Sequence, residues 1–385
     1  MSAGARAGTE PAASGPLTGL RVADFSRVLA GPYATMMLAD LGADVTKVER
    51  PPHGDDTRAW GPPFAADGTA TYFQSVNRNK RSVWLDLSLP ADRERADALA
   101  SSADVLVENF SPGTMARFGL GYSDVSARNP GIVYASISGF GAGAGAQMPG
   151  YDLLVQAMGG LMSITGPSPE QPTKVGVALV DVITGLHACV GILAALAERE
   201  ASGRGQHVSV NLLSSTLSAL VNQAQSVVSG GPAPTPMGNA HPSIAPYETF
   251  DALDGTLALA VGNDRQFAAL NDLLRLDLAQ DARFAANRDR VDHRASLREQ
   301  LAPVLRTRSA RDWAVELRAA GVPAGPVNDL PAALALAEEL GLAPIACAEG
   351  VPGVANPITL SRTPADYRLA PPSGPESAAG LPGRR

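Results

Sequence analysis

Only two cysteines, Cys189 and Cys347, occur in 385 residues, so the chain carries neither a disulfide framework nor thiolate metal-ligand spacing. Its five histidines show no metal-ligand spacing either. Aromatic residues make up 5% of the chain, too few for base stacking to be a theme. Cations are also in short supply. The 31 Lys and Arg against 38 Asp and Glu give a net charge of −7, which argues against nucleic acid as a partner. The longest apolar run, Cys189 to Ala197, is well short of the about 20 residues that span a bilayer. Residues 1–16 are small and polar with no apolar h-region, which reads as a disordered tail and not a leader. The expectation is a soluble cytoplasmic protein with no metal and no membrane partner. P-loop, Gly-x-Ser-x-Gly and Cys/His signatures are missing too, so any catalysis must lean on a carboxylate.

What remains is a globular composition, 45% hydrophobic and 18% charged, with 39 glycines to make turns. Leu20–Phe25 reads as a strand, Tyr33–Leu41 as a helix closed by Gly42, and Asp44–Glu49 as a second strand. Strand–helix–strand recurs at Ser82–Asp86, Ala91–Ser101 and Asp104–Glu108, with a short helix at Tyr122–Arg128, a strand at Ile132–Ile137 and a helix over Leu212–Val227 beyond. The pattern predicts a doubly wound, Rossmann-like α/β sheet over residues 17–228. The Gly/Pro-rich stretch Ser229–Pro236 marks a boundary, after which Tyr247–Phe250, Leu257–Val261 and helices at Arg265–Leu274, Arg294–Leu305 and Ala310–Ala320 predict a smaller α+β domain over 229–330. Residues 331–385 form a C-terminal segment returning to the large domain.

Asp181 is the most informative residue. It ends the apolar, strand-like run Lys174–Val180 and stands at the mouth of a helix reaching about Arg199. Unpaired N–H groups at a helix start favour an anion, which is either a plain cap or an activated nucleophile. His187, six residues on, is on a different face and reads as a packed side chain. The run Ser138–Ala146 holds a formal Gly-x-Gly-x-x-Ala, but Pro149 follows where a dinucleotide site needs a helix, so a nicotinamide enzyme does not fit. Arg50, Lys80, Arg81 and Arg117 lie near strand ends, where an open parallel sheet binds phosphorylated ligands.

In order and spacing, Asp24–Pro32, Leu41–Arg50, Asn79–Ser82, Asp104–Gly113, Tyr151–Asp152 and Gly203–Gln206 resemble the family III CoA-transferases, which include formyl-CoA transferase. The resemblance implies a Rossmann-like large domain, a smaller domain and an interlocked homodimer. It places the catalytic aspartate on Asp181. It places CoA contacts on Leu29, Ala30, Arg50, the run Leu85, Asp86, Leu87 and Ser88, then Asn109, Phe110, Ser111, Arg117 and Tyr151. CoA thioester is then a substrate, and no cofactor is tightly bound. The implied reaction carries CoA from an acyl-CoA to a carboxylic acid through a covalent aspartyl intermediate. Leu29 stands where formyl-CoA transferase has a Gln, and Pro149 where it has a Lys, which argues against formyl or oxalate specificity. The segment Gly238–Phe250 resembles the branch acting on dicarboxylates, with succinyl-CoA as a donor and Gly238, His241 and Arg265 on the acceptor side. The alternatives are an α-methylacyl-CoA racemase-like isomerase, or a non-catalytic CoA-binding protein. The racemase needs a histidine base where this chain has Tyr151, and a phenol of pKa about 10 replaces it poorly.

Overall fold

The computed structural model describes residues 14–375. Most of the expected N-terminal tail and the last ten residues lie outside them. The described chain divides into two compact units.

The first unit spans residues 14–161, 175–231 and 343–375. Its sheet holds β1 (Arg21–Asp24), β2 (Asp44–Glu49), β3 (Lys80–Trp84), β4 (Val105–Glu108), β5 (Val133–Ser138) and β6 (His207–Asn211), in the order β3-β2-β1-β4-β5-β6. Every neighbouring pair is parallel. Side chains alternate across a strand, and here each face meets a separate core. Val22, Val45, Val105 and Val107 pack with the helices Ala30–Asp40 and Leu179–Ser202. Ala23, Val48, Leu106 and Tyr134 turn the other way, toward the helices Pro90–Ser102 and Tyr122–Arg128. That is why the strands read as nearly continuous apolar runs.

Residues 343–375 complete this unit. They add the hairpin β10 (Ile345–Ala348) and β11 (Val351–Val354), which the sequence reading did not anticipate. Arg78 pairs with the buried Asp40 at 2.7 Å and donates to the Val354 carbonyl at 2.7 Å. The Asn79 amide donates to the Asp366 carbonyl and accepts from the Arg368 N–H, each at 2.7 Å.

The second unit comprises residues 162–174 and 232–342. Its antiparallel sheet runs β7 (Tyr247–Asp251), β8 (Thr256–Ala260), β9 (Ala324–Pro326). Helices Asp264–Leu274, Arg294–Leu305, Ala310–Ala319 and Leu330–Glu339 accompany it; Phe250, Phe267, Leu301 and Trp313 lie in its core. Asn263, Ser309 and Asp329 each cap a helix through a side-chain oxygen. Residues 331–342, expected with the C-terminal segment, belong to this unit.

Two local readings are corrected. Lys174–Val180 is not a strand: the helix begins at Leu179, so Asp181 sits inside its first turn. The helix expected over Leu212–Val227 is two, Leu212–Ala219 and Val221–Val228, broken where Val221 takes φ +36°. The helix Leu179–Ser202 is also long and apolar enough, by length and composition, to cross a membrane, which the shorter run Cys189–Ala197 did not suggest. Val180, Ala188, Ile192 and Ala195 on it are buried in the core.

Candidate active site

Strand order reverses between β1 and β4, and ligands of open parallel sheets bind in the crevice at the carboxyl ends beside such a point. The loop after β1 is anchored there by buried charges. Asp24 pairs with Lys80 at 3.1 Å and accepts from the Thr35 hydroxyl at 2.6 Å. Lys47 pairs with Asp55 at 2.9 Å and donates to the Ser26 carbonyl at 2.9 Å. Burial alone would raise the Asp24 and Asp55 carboxyls; the lysines and hydrogen bonds outweigh it and hold both below the usual carboxylate range. Lys80, a candidate phosphate ligand by sequence, is therefore a structural cation. Arg81 likewise pairs with Asp44.

Above this network Val28 has φ +67°, a left-handed conformation that costs a β-branched residue strain. Its N–H points at the Asp55 carboxylate, 3.3 Å away. The next loop is clamped to it: Arg27 N–H donates to Asn109 Oδ1 at 2.8 Å, and Asn109 Nδ2 donates to the Arg27 carbonyl at 2.7 Å. The Asn109 side chain is thus committed to holding two loops together.

Asp181 lines a cavity of about 290 Å³ under these loops, with Leu29, Ala30, Phe110, Ser111 and Tyr151. Asn109 lines it as well. Burial, and secondarily the Asp152 charge, push the Asp181 carboxyl up to about 7. Such a group is half ionised at neutral pH and poorly solvated when ionised, which suits a nucleophile. Tyr72 is pushed up to about 12 by burial, then by Asp181 and Asp152, so its phenol stays protonated. One turn beyond Asp181, Gly185 makes room for the first loop. A Cβ there would lie 2.6 Å from the Ala30 carbonyl oxygen and 3.3 Å from the Tyr33 ring.

A second cavity of about 590 Å³ shares Arg27, Asp56 and Phe110 with the first. It is lined by Arg50 and by Leu85, Asp86, Leu87 and Ser88. All the expected CoA contacts but Arg117 thus fall on two adjoining cavities, one holding the carboxylate and one the exposed Arg50. Arg117 lines neither; its guanidinium donates to the Thr114 hydroxyl at 3.1 Å. His187 is packed, with Nδ1 3.0 Å from the Ser215 hydroxyl.

Gly238, His241 and Arg265 belong to the second unit. His241 Nδ1 accepts from the Ser243 N–H at 3.1 Å, and its ring lies 5.2 Å from that of Tyr247. Arg265 is exposed, and the Gly238 N–H donates to the Gly166 carbonyl at 3.0 Å.

Several lining residues escaped sequence reasoning. Trp60, Asp56 and Arg27 line the Asp181 cavity, and so does the loop Gly139–Gly150, which doubles back on itself. A Cβ on Gly139 would come within 2.4 Å of the Gly150 Cα, so both glycines are required by close approach. The Gly-rich run, dismissed as a dinucleotide fingerprint, is a wall of the site.

Comparison with protein-family models matches residues 17–376 to CoA-transferase family III. Among curated proteins, the chain is 43% identical over 386 residues to a succinate–glutarate CoA-transferase of Agrobacterium fabrum, covering 95% of each. It is 42% identical over 321 residues to the succinyl-CoA:glutarate CoA-transferase of Mus musculus, covering 82% of this chain and 72% of the relative. Among solved structures, a CAIB/BAIF family protein from Brucella suis superposes with a TM-score of 0.85 at 42% identity, covering 93% of this chain and 96% of that one.

Proposed function

The chain belongs to CoA-transferase family III and is an enzyme that transfers CoA; from that premise we propose that it carries CoA from succinyl-CoA to a second dicarboxylic acid through covalent intermediates on Asp181. The observation that carries the reading is Asp181 itself, a partly buried carboxylate pushed up to about 7 in a cavity formed by the loops after β1, β4 and β5.

An Asp181 oxygen attacks the thioester carbonyl, the C–S bond breaks, and CoA leaves as thiolate. The mixed anhydride that remains is attacked by the thiolate at the aspartyl carbonyl. This releases the first acid and leaves an aspartyl-CoA thioester. The incoming carboxylate attacks that thioester, expelling thiolate and forming a second anhydride. Thiolate attack on its acyl carbonyl yields the new acyl-CoA and restores Asp181. Each step exchanges one activated acyl bond for another, so thioester energy is conserved. The half-enclosed cavity limits the water that would hydrolyse the anhydride. CoA is a substrate here and not a resident cofactor. Arg50 faces its phosphates in the larger cavity, and the strand order supports a Rossmann-like description of the first unit.

On the second unit, Gly238, His241 and Arg265 form the acceptor side, where a distal carboxylate is bound. The enzyme works as an interlocked homodimer in the cytoplasm; sedimentation at twice the chain mass tests the dimer. The decisive experiment mixes the protein with a panel of acyl-CoAs and quenches in hydroxylamine. Peptide mass spectrometry should find a hydroxamate on Asp181 with succinyl-CoA. No modification with any donor, despite CoA binding, overturns the proposal.

A further inference from the structure

Asp152 follows the cavity-lining Tyr151 and opens the short helix Asp152–Met158. Its two carboxylate oxygens are both engaged. Oδ1 accepts from the Val180 N–H at 2.9 Å, and Oδ2 accepts from Gln156 Nε2 at 2.6 Å. Gln156, fully buried one turn later, accepts in turn from the Val175 N–H at 2.9 Å through Oε1. The chain Val180–Asp152–Gln156–Val175 therefore ties both ends of residues 175–180, the segment that delivers Asp181 into the first turn of its helix. The Val180 N–H would otherwise be an orphan donor of that turn.

We infer that Asp152 is a positioning residue for Asp181: with Gln156 it pins the run leading to the nucleophile, and it sets a second negative charge beside it. The inference rests on the proposed role of Asp181. The groups surrounding the nucleophile are Asp152, Tyr72 and, across the cavity, Arg27, Asp56 and Tyr151. Of these, only Asp152 both bonds to the segment preceding Asp181 and opposes its ionisation. A purely structural anchor would serve as well with a neutral acceptor. Burial first, and the Asp152 charge in addition, disfavour the ionised form of Asp181 and leave it more basic than a solvated carboxylate when it attacks.

Asp152→Asn separates the two contributions. Its amide can still accept from Val180, but its nitrogen faces Gln156 Nε2, donor against donor. Adding Gln156→Glu supplies acceptors for that nitrogen and for the Val175 N–H, rebuilding the chain with the charge moved from position 152 to position 156. The experiment measures kcat and the acid limb of the kcat/KM–pH profile for each variant, with hydroxylamine trapping alongside. The expected result is that Asp152→Asn lowers kcat by about tenfold or more, as a small displacement of a reacting group does. Its acid limb moves to lower pH, and the double variant regains most of the lost kcat. A single variant with wild-type kcat and an unmoved limb overturns the inference. So does a fall in kcat with an unmoved limb that the double variant fails to restore. If Asp152→Asn does not fold, the double variant alone decides: failure to recover either folding or kcat rejects the hydrogen-bond chain. Wild-type protein that traps no hydroxamate on Asp181 refutes instead the role assigned to Asp181, a separate result.

Discussion

The chemistry at Asp181 turns on its ionisation. With the carboxyl raised to about 7, kcat/KM for acyl-CoA should climb with pH through that value and level off above it. The same group should leave a mark on stability. Its folded pKa lies above the ordinary 3.8, so between those values the unfolded chain gives up a proton that the folded one keeps. The contribution of Asp181 to stability is therefore greatest at low pH and falls as pH rises toward 7. Asp181→Asn abolishes exchange, and its Tm advantage over wild type grows from pH 5 to pH 8; a Tm difference that shrinks over that range would contradict the assignment. Lys80 makes the opposite case. Buried against Asp24, it is expected to cost about 3–5 kcal/mol when replaced by Met, because Asp24 then stays buried without its closest cation. Urea unfolding measures this. Had Lys80 been a phosphate ligand, the variant would instead raise KM for CoA at unchanged stability. The misreading has a plain origin: the partner of Lys80 lies 56 residues away, and no local pattern announces it.

At the scale of elements, the crossing of the helices Ala30–Asp40 and Leu179–Ser202 sets the first loop against the turn that carries Asp181. Gly185→Ala puts a methyl 2.6 Å from the Ala30 backbone oxygen, so the loop must shift. The expected outcome is a tenfold or greater loss of kcat/KM, of the size a displacement of about 1 Å brings. Steady-state kinetics and a melting curve check it. The elements themselves were largely legible. The strands β1, β2, β4 and β5 lie where their apolar runs predict, and the helices Tyr122–Arg128 and Arg294–Leu305 run as expected. The failures share one cause. Val175–Val180 is a six-residue apolar run, and so short a run does not distinguish a strand from a helix entrance. Likewise apolar spacing continues unbroken through Leu220 and Val221, where the backbone does not. Of the lining of the Asp181 cavity, Leu29, Ala30, Asn109, Phe110 and Ser111 on the loops after β1 and β4 were already named from the sequence. The Gly139–Gly150 wall was not, because its glycines answer to contacts within the folded loop.

For the whole molecule, the first unit is discontinuous, and its closing piece is held by charged and amide groups from the opening half. A chain ending at Leu342 lacks the Val354 and Asp366 carbonyls that Arg78 and Asn79 engage, and Asn356, which donates to Asp40 at 3.3 Å. Such a truncation should lose cooperative unfolding of the first unit in calorimetry. A retained sharp transition would show that residues 343–375 are dispensable.

That discontinuity also has a place in time. Residues 343–375 leave the ribosome only after residues 232–342, an interval on the order of ten seconds at ordinary elongation rates. Throughout it, β1 to β6 are already translated while Arg78 and Asn79 wait for their last partners. The nascent enzyme thus passes through a stage in which the Asp181 helix is made but its unit is not closed. Synthesis order, as much as final energy, decides how long Asp40, Arg78 and Asn79 stand without these partners.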